Sequence, residues 1–96
     1  MNKIDDTFFD RADEHIHIAN EHLNTIDRGK VSASFMYSLA RFNAWVSACN
    51  YTTGEAMEKD REEVLAYFTA QYRKMLDDNF SDYANNFPAY MHTNEE

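Results

Sequence analysis

The amino-acid sequence predicts an all-α fold: an up-down-up three-helix bundle, or long helical hairpin, with an overlong third helix. Apolar residues recur at steps of three and four through three successive segments, as they do along one side of a helix. The chain contains 2 Gly and 1 Pro, and both glycines fall between these segments. Because 96 residues correspond to one domain, we expect a single helical domain over residues 1–87 and a flexible tail over residues 88–96.

The first predicted helix extends from about Asp6 to Asp27. Its start can be capped by Asp5, Asp6 or Thr7, and Gly29 suits a left-handed cap after its end. A single apolar stripe runs along it, formed by Phe9, Ala12, Ile16, Ala19, Leu23 and Ile26.

The second predicted helix extends from about Val31 to Cys49, with Ser32 as the candidate N-cap. Apolar residues surround nearly all of it, and Arg41 is its only charged residue. A helix of this composition is typically buried on more than one side, so we expect the thiol of Cys49 to be buried. The main stripe consists of Phe35, Leu39, Phe42, Val46 and Cys49.

The third predicted helix extends from about Glu55 to Asn86, and Thr52–Glu55 forms a candidate capping box before it. If unbroken, this helix outruns the other two by roughly 15 Å. Exposed apolar side chains on such an overhang are typical of an interface, and a two-fold dimer is the commonest way to cover them. The expected interface residues are Met75, Leu76, Phe80, Tyr83 and Phe87.

A break in the third helix is the alternative to the overhang. The sequence Asp77-Asp78-Asn79 weakens the helical pattern, and a break there folds Phe80 to Phe87 back onto the same chain. The two arrangements predict different assemblies: the overhang predicts a dimer, and the fold-back predicts a monomer.

Composition excludes several classes of protein. A single Cys excludes an intrachain disulfide framework, and the start MNKIDDTFF lacks the apolar region of a secretory signal, so we expect a cytoplasmic protein. No apolar run is long enough to span a membrane. The chain has 9 Lys and Arg against 17 Asp and Glu, and its net charge of -8 argues against binding nucleic acid.

Three side chains on the first helix form a candidate metal site. Glu14, His17 and Glu21 lie on one face at steps of three and four, and carboxylates and imidazoles at this spacing can bind a divalent ion. The face lies opposite the apolar stripe and no second such motif follows, so the more conservative interpretation is a solvated polar face. We therefore expect no bound metal or other cofactor.

Arg41 is the second candidate site, with Trp45 and Tyr37 four residues away on either side. A guanidinium within an apolar helix needs a partner or must reach water. The structural interpretation is a largely buried ion pair with an acid on a neighbouring helix. The functional alternative is a ligand-binding site formed by Arg41, Trp45 and Tyr37.

The segments FFDRADEHIHIANEH and DRGKVSASFMYSLARFNAWVSA, the latter most specific from Ser34 to Ala48, resemble a small uncharacterised family of bacterial proteins. That family is known only as a domain of unknown function of about this length. The resemblance implies a helical, hairpin-like fold over most of the chain. It implies no activity, so it supports the fold prediction and leaves the function open.

The function is therefore unknown at this level, and the favoured hypothesis is a non-enzymatic helical protein. It would act through homo-oligomerisation or contact with another protein, because apolar and aromatic residues are plentiful and no catalytic motif is present. One alternative is a bundle that binds a small molecule or a metal. The other is an acidic decoy for a basic, nucleic-acid-binding partner.

Overall fold

The computed structural model describes residues 4–91, and within that range the regular structure consists of five α-helices without strands. The all-α prediction is therefore confirmed. None of the helices in this range combines the length and the hydropathy of a membrane span. The helices are α1 (Phe8–His22), α2 (Arg28–Ala48), α3 (Gly54–Lys59), α4 (Arg61–Asn85) and α5 (Phe87–Met91).

Backbone contacts divide the chain into two units, Met1–Val46 and Ser47–Glu96. The first unit holds α1 and most of α2, and the second holds α3, α4 and α5. In the second unit α4 packs against both α3 and α5, its two neighbours along the chain. The up-down-up order of the helices stays a prediction.

Asp5 organises the start of α1. Its carboxylate accepts hydrogen bonds from the backbone N–H of Thr7 at 2.9 Å and from the Thr7 hydroxyl at 3.0 Å. The Arg11 guanidinium donates to both oxygens of the same carboxylate, at 3.3 and 2.9 Å. Thr7 occupies the N-cap position, yet its own side chain accepts no bond from the helix backbone. Asp5 is thus the residue that anchors this end.

The junction of α1 and α2 differs from the prediction. α1 ends at His22, and α2 begins at Arg28, three residues before the predicted start at Val31. The Asp27 carboxylate accepts a 2.9 Å bond from the N–H of Lys30, and this bond caps α2 in place of Ser32. Gly29 consequently lies in the first turn of α2 with a negative φ, so the predicted left-handed cap at this glycine is wrong.

The third predicted segment is two helices, separated at Asp60. Thr53 caps α3, because its hydroxyl accepts a 3.0 Å bond from the N–H of Ala56. The N-cap is therefore one residue later than in the predicted capping box at Thr52–Glu55, and the N3 position is Ala56, which has no carboxylate to complete such a box. At the separation, the Asp60 carboxylate accepts a 2.8 Å bond from the Tyr51 hydroxyl, which ties the turn before α3 to the start of α4.

The alternative break at Asp77–Asn79 does not occur, because α4 is continuous from Arg61 to Asn85. Asn79 adapts to the helix by donating from its side-chain amide to the carbonyl of Met75 at 2.8 Å. The chain instead leaves helical geometry at Asn86, and α5 follows with Pro88 in its first turn. Residues 88–91 of the predicted tail thus belong to α5, and the rest of that tail lies outside the described residues.

Little of the apolar surface is buried. Across residues 4–91, Val31 and Ser47 are the residues classed as buried, each 6% exposed. The helical stripes predicted from periodicity are present, but their large side chains are at least one-third exposed at most positions. The half-buried residues of the described range are Phe8, Ala12, Ala19, Asn43, Tyr51, Ala56, Met57, Asp60, Val64 and Phe68.

Candidate interaction surface

The second half of α4 carries an exposed apolar row, which we call the α4 stripe: Met75, Leu76, Phe80 and Tyr83. Steps of one, four and three residues keep these side chains on one side of the helix. Phe80 is 71% exposed, and the other three are about half exposed. Phe87, the fifth predicted interface residue, lies at the start of α5 and is 52% exposed. The structure thus places the predicted interface residues on the surface of the chain.

The α4 stripe continues toward the start of the helix. Leu65 and Tyr72 lie on the same side and are exposed, whereas Val64 and Phe68 are half buried in the second unit. The covered part of this side therefore lies near α3, and exposure increases toward the C-terminal half of α4. An apolar row of this length, left in water, forfeits the stabilisation that burial supplies.

A second exposed group, the α2 patch, consists of Arg41, Phe42 and Trp45. The rings of Phe42 and Trp45 lie 5.6 Å apart between centroids and are about 60% exposed. Phe42 belongs to the main stripe of α2, Trp45 adjoins that stripe, and Arg41 lies beside Trp45 on its flank. Aromatic rings and an arginine are the residue types that dominate the energetics of protein interfaces.

Arg41 is exposed, so the expected burial of its guanidinium is wrong for the single chain. No described hydrogen bond or ion pair involves it. Tyr37 and Trp45 lie one turn before and one turn after it, and both are more than 60% exposed. The three side chains share a flank of α2, and they form an open surface instead of an enclosed pocket.

Cys49 is exposed as well, in contrast to the buried thiol that its place on the apolar stripe predicts. α2 ends at Ala48, so Cys49 lies in the turn that follows the helix. An apolar stripe ends where its helix ends, and the stripe predicted from periodicity was one residue too long.

The candidate metal ligands lie on the surface of α1. His17 Nε2 is 3.3 Å from Glu21 Oε2, and both side chains are more than 60% exposed. Within residues 4–91, no three His, Cys, Asp or Glu side chains are grouped closely enough to hold a metal ion. Among Glu14, His17 and Glu21, the described contact is therefore the one between the His17 imidazole and the Glu21 carboxylate, on a solvated face.

The shifted pKa values of the described residues belong to local pairs that are exposed or half buried. The Arg11 guanidinium, together with Thr7, lowers the pKa of Asp5 from 3.8 to about 2. A hydrogen bond to Asp60 raises the pKa of the Tyr51 phenol. These groups close turns and helix ends, and they are spread along the chain. Arg11 is six residues from Asp5, and Tyr51 is nine residues from Asp60, so no short sequence motif indicates these two pairs.

Residues 8–84 match the family model described as DUF3144, a protein of unknown function. The chain belongs to the DUF3144 family. This confirms the resemblance to an uncharacterised family, and the family description assigns no function. The NMR structure of the protein NB7890A from Shewanella sp. is 39% identical in sequence and superposes with a TM-score of 0.78, covering 96% of this chain and 98% of that one. No curated protein matches the sequence.

The DUF3144 match begins at the first residue of α1 and ends one residue before the end of α4. It therefore includes the α2 patch and the whole α4 stripe. Phe87 and α5 lie beyond it. The two exposed surfaces thus belong to the part of the chain that defines the family.

Proposed function

We propose that this DUF3144 protein is a non-enzymatic helical protein that acts as a homodimer, with a second copy covering the α4 stripe and the α2 patch. The observation that carries the proposal is the disparity between apolar content and burial. Hydrophobic residues make up 44% of the chain. Among the described residues, however, Val31 is the one apolar residue that is buried. An apolar surface of this extent usually marks an interface.

Symmetry favours self-association over other partners. Each copy carries both uncovered surfaces, so a two-fold arrangement covers four surfaces with two identical contacts. We place this dimer in the cytoplasm, because the single Cys is exposed and exposed thiols persist in reducing compartments.

Sedimentation velocity across a dilution series tests the proposal. Wild-type protein is expected to sediment at twice the chain mass of 11.3 kDa at micromolar concentration. The double variant Phe80→Asp/Tyr83→Asp places two charges in the α4 stripe, so it is expected to dissociate to single chains. The control Ala70→Asp/Ser81→Asp adds two charges to the opposite side of α4 and is expected to remain dimeric.

A wild-type species of one chain mass, unchanged by dilution, would refute the dimer. Equal dissociation of the stripe variant and its control would show that added charge, and not the position of the stripe, controls assembly. Circular dichroism of each variant verifies that helix content is retained.

A further inference from the structure

The side-chain hydrogen bonds described between α4 and the segment that follows it converge on Asp82. Its carboxylate accepts from the Asn86 amide at 2.9 Å on one oxygen and from the Tyr90 hydroxyl at 2.8 Å on the other. α5 has only five residues, and an isolated helix of that length is not stable in water. The helical structure of α5 therefore depends on the contacts that hold it on α4.

Asp82 lies at one edge of the α4 stripe. It follows Met75 by seven residues, which is two turns of helix, so the two side chains project from nearly the same side of α4. Tyr83 belongs to the stripe, and its ring lies 4.6 Å from that of Tyr90 between centroids. Phe80 marks the opposite edge and is 71% exposed. α5 is therefore held beside the C-terminal end of the stripe, along the edge that Met75 marks.

Docking of α5 on α4 enlarges the exposed apolar surface and does not cover it. Phe87, Tyr90 and Met91 are 52%, 44% and 49% exposed in the docked helix. Tyr83 is still 51% exposed with the ring of Tyr90 beside it. The α4 stripe and these three residues of α5 thus form one apolar surface, which we call the α4–α5 surface.

We propose that Asp82 is a positioning residue for self-association: it holds α5 so that the complete α4–α5 surface meets the second copy, and release of α5 weakens the dimer. This inference rests on the proposed homodimer and extends its contact to α5. The α4–α5 surface is continuous with the α4 stripe, so a second copy that covers the stripe also reaches α5. In a two-fold dimer each copy contributes the same surface, so α5 has to be docked in both.

The dimer affinity of Asp82→Ala tests the inference. The substitution removes both acceptor oxygens, so α5 is expected to leave α4 in most chains. If α5 stays docked in about one-third of the chains, the dissociation constant of the dimer rises about tenfold, because two docked chains are needed. Sedimentation equilibrium measures this constant. Asp77→Ala removes the same charge from an exposed position on the opposite side of α4, so it is the control and should dimerise as wild type does.

Tyr90→Phe provides a second variant, since it removes one hydroxyl and keeps the ring. It is expected to weaken the dimer by a smaller factor than Asp82→Ala does. The double variant Asp82→Ala/Tyr90→Phe should be no weaker than Asp82→Ala, because the hydroxyl has already lost its acceptor. Hydrogen exchange over residues 87–91 is measured on the same variants, and the order of the dissociation constants should follow the order of the exchange rates. Circular dichroism verifies that α4 remains helical.

Failure of this inference is distinguishable from failure of the dimer. If wild type is dimeric and the variants accelerate exchange in α5 without changing the dissociation constant, α5 lies outside the contact and the dimer stands. A tighter dimer on release of α5 would show that α5 obstructs the contact, and the inference would be wrong. An equal loss in Asp77→Ala, or a loss without faster exchange in α5, also contradicts it. A monomeric wild type overturns the proposed function itself.

Discussion

The hydroxyl of Tyr90 donates a 2.8 Å hydrogen bond to Asp82 Oδ2, which ties α5 to the last turns of α4. The ring of Tyr90 also lies 4.6 Å from that of Tyr83, between centroids. On the other oxygen of the carboxylate, the Asn86 amide donates at 2.9 Å, and it also donates to the Asp82 carbonyl at 3.0 Å. One aspartate therefore ends the long helix and fixes the direction of the chain after it.

Replacing Tyr90 by Phe is expected to loosen α5 while leaving α4 intact. The substitution removes the hydroxyl and keeps the ring that packs on Tyr83, so the loss is confined to the hydrogen bond. Faster hydrogen exchange over residues 87–91, with unchanged exchange in α1, is the expected result. Tyr72→Phe, which removes an exposed hydroxyl of α4, serves as the control and should leave α5 unchanged.

Alkaline pH is expected to act on the same contact. The bond to Asp82 raises the pKa of the Tyr90 phenol above its usual 10.0. A raised pKa means that this contribution to stability is complete below pH 10 and is lost as the pH rises through the shifted value. Exchange over 87–91 should therefore accelerate in this range in wild type more than in Tyr90→Phe. Equal acceleration in the two proteins contradicts the assignment.

Acid is expected to release the start of α1. The pKa of Asp5 is lowered from 3.8 to about 2, first by the hydrogen bond from Arg11 and then by those from Thr7. A lowered pKa means that the contribution is complete above about pH 4 and is lost as the pH falls toward about 2. A carboxyl-carbon NMR titration of Asp5 measures it directly. Asp5→Asn should remove this pH dependence, whereas Asp6→Asn should retain it.

The cap of α3 offers a test of local stability. Thr53→Ala removes the acceptor for the Ala56 N–H, and loss of such a cap costs about 1 kcal/mol. At about 4–8 °C per kcal/mol, the melting temperature at one fixed protein concentration should fall by a few degrees. Thr53→Ser keeps the hydroxyl and should melt close to wild type. If Thr52→Ala lowered the melting temperature by a similar amount, the assignment of the cap to Thr53 would be contradicted.

Thermal stability is expected to depend on protein concentration. Two associated chains of this length unfold with an enthalpy of about 134 kcal/mol, and a hundredfold rise in concentration then raises the melting temperature by about 7 °C. Scanning calorimetry between micromolar and submillimolar protein measures this slope. A melting temperature that does not move with concentration describes a monomer.

Periodicity located the helices well because it is a local property. The apolar steps along Phe9–Ala19 and Phe35–Val46 follow helical geometry, and helices occupy these segments. The ends were less accurate because several residues compete for each cap. Ser32 and Asp27 are both good N-caps, and the structure uses Asp27, which adds a turn to α2. Gly29 became helical for the same reason.

Burial could not be predicted from spacing, since a stripe indicates which side is apolar and not what covers it. Cys49 and Arg41 were expected to be buried on this basis, and both are exposed. The residues of the α4 stripe are exposed, and their role as an interface stays a prediction. Which surface covers the α4 stripe depends on how the chains assemble.

The sequence by itself determined that this chain is helical, where its apolar stripes run, and that it belongs to a family without an assigned function. Tertiary structure decided the separation of α3 from α4 at Asp60, the attachment of α5 through Asp82, and the exposure of Arg41. The physical reason is the distance along the sequence between the residues that interact. Helical periodicity arises from neighbours three and four residues apart, whereas Tyr51 and Tyr90 meet their acids only after the backbone has turned.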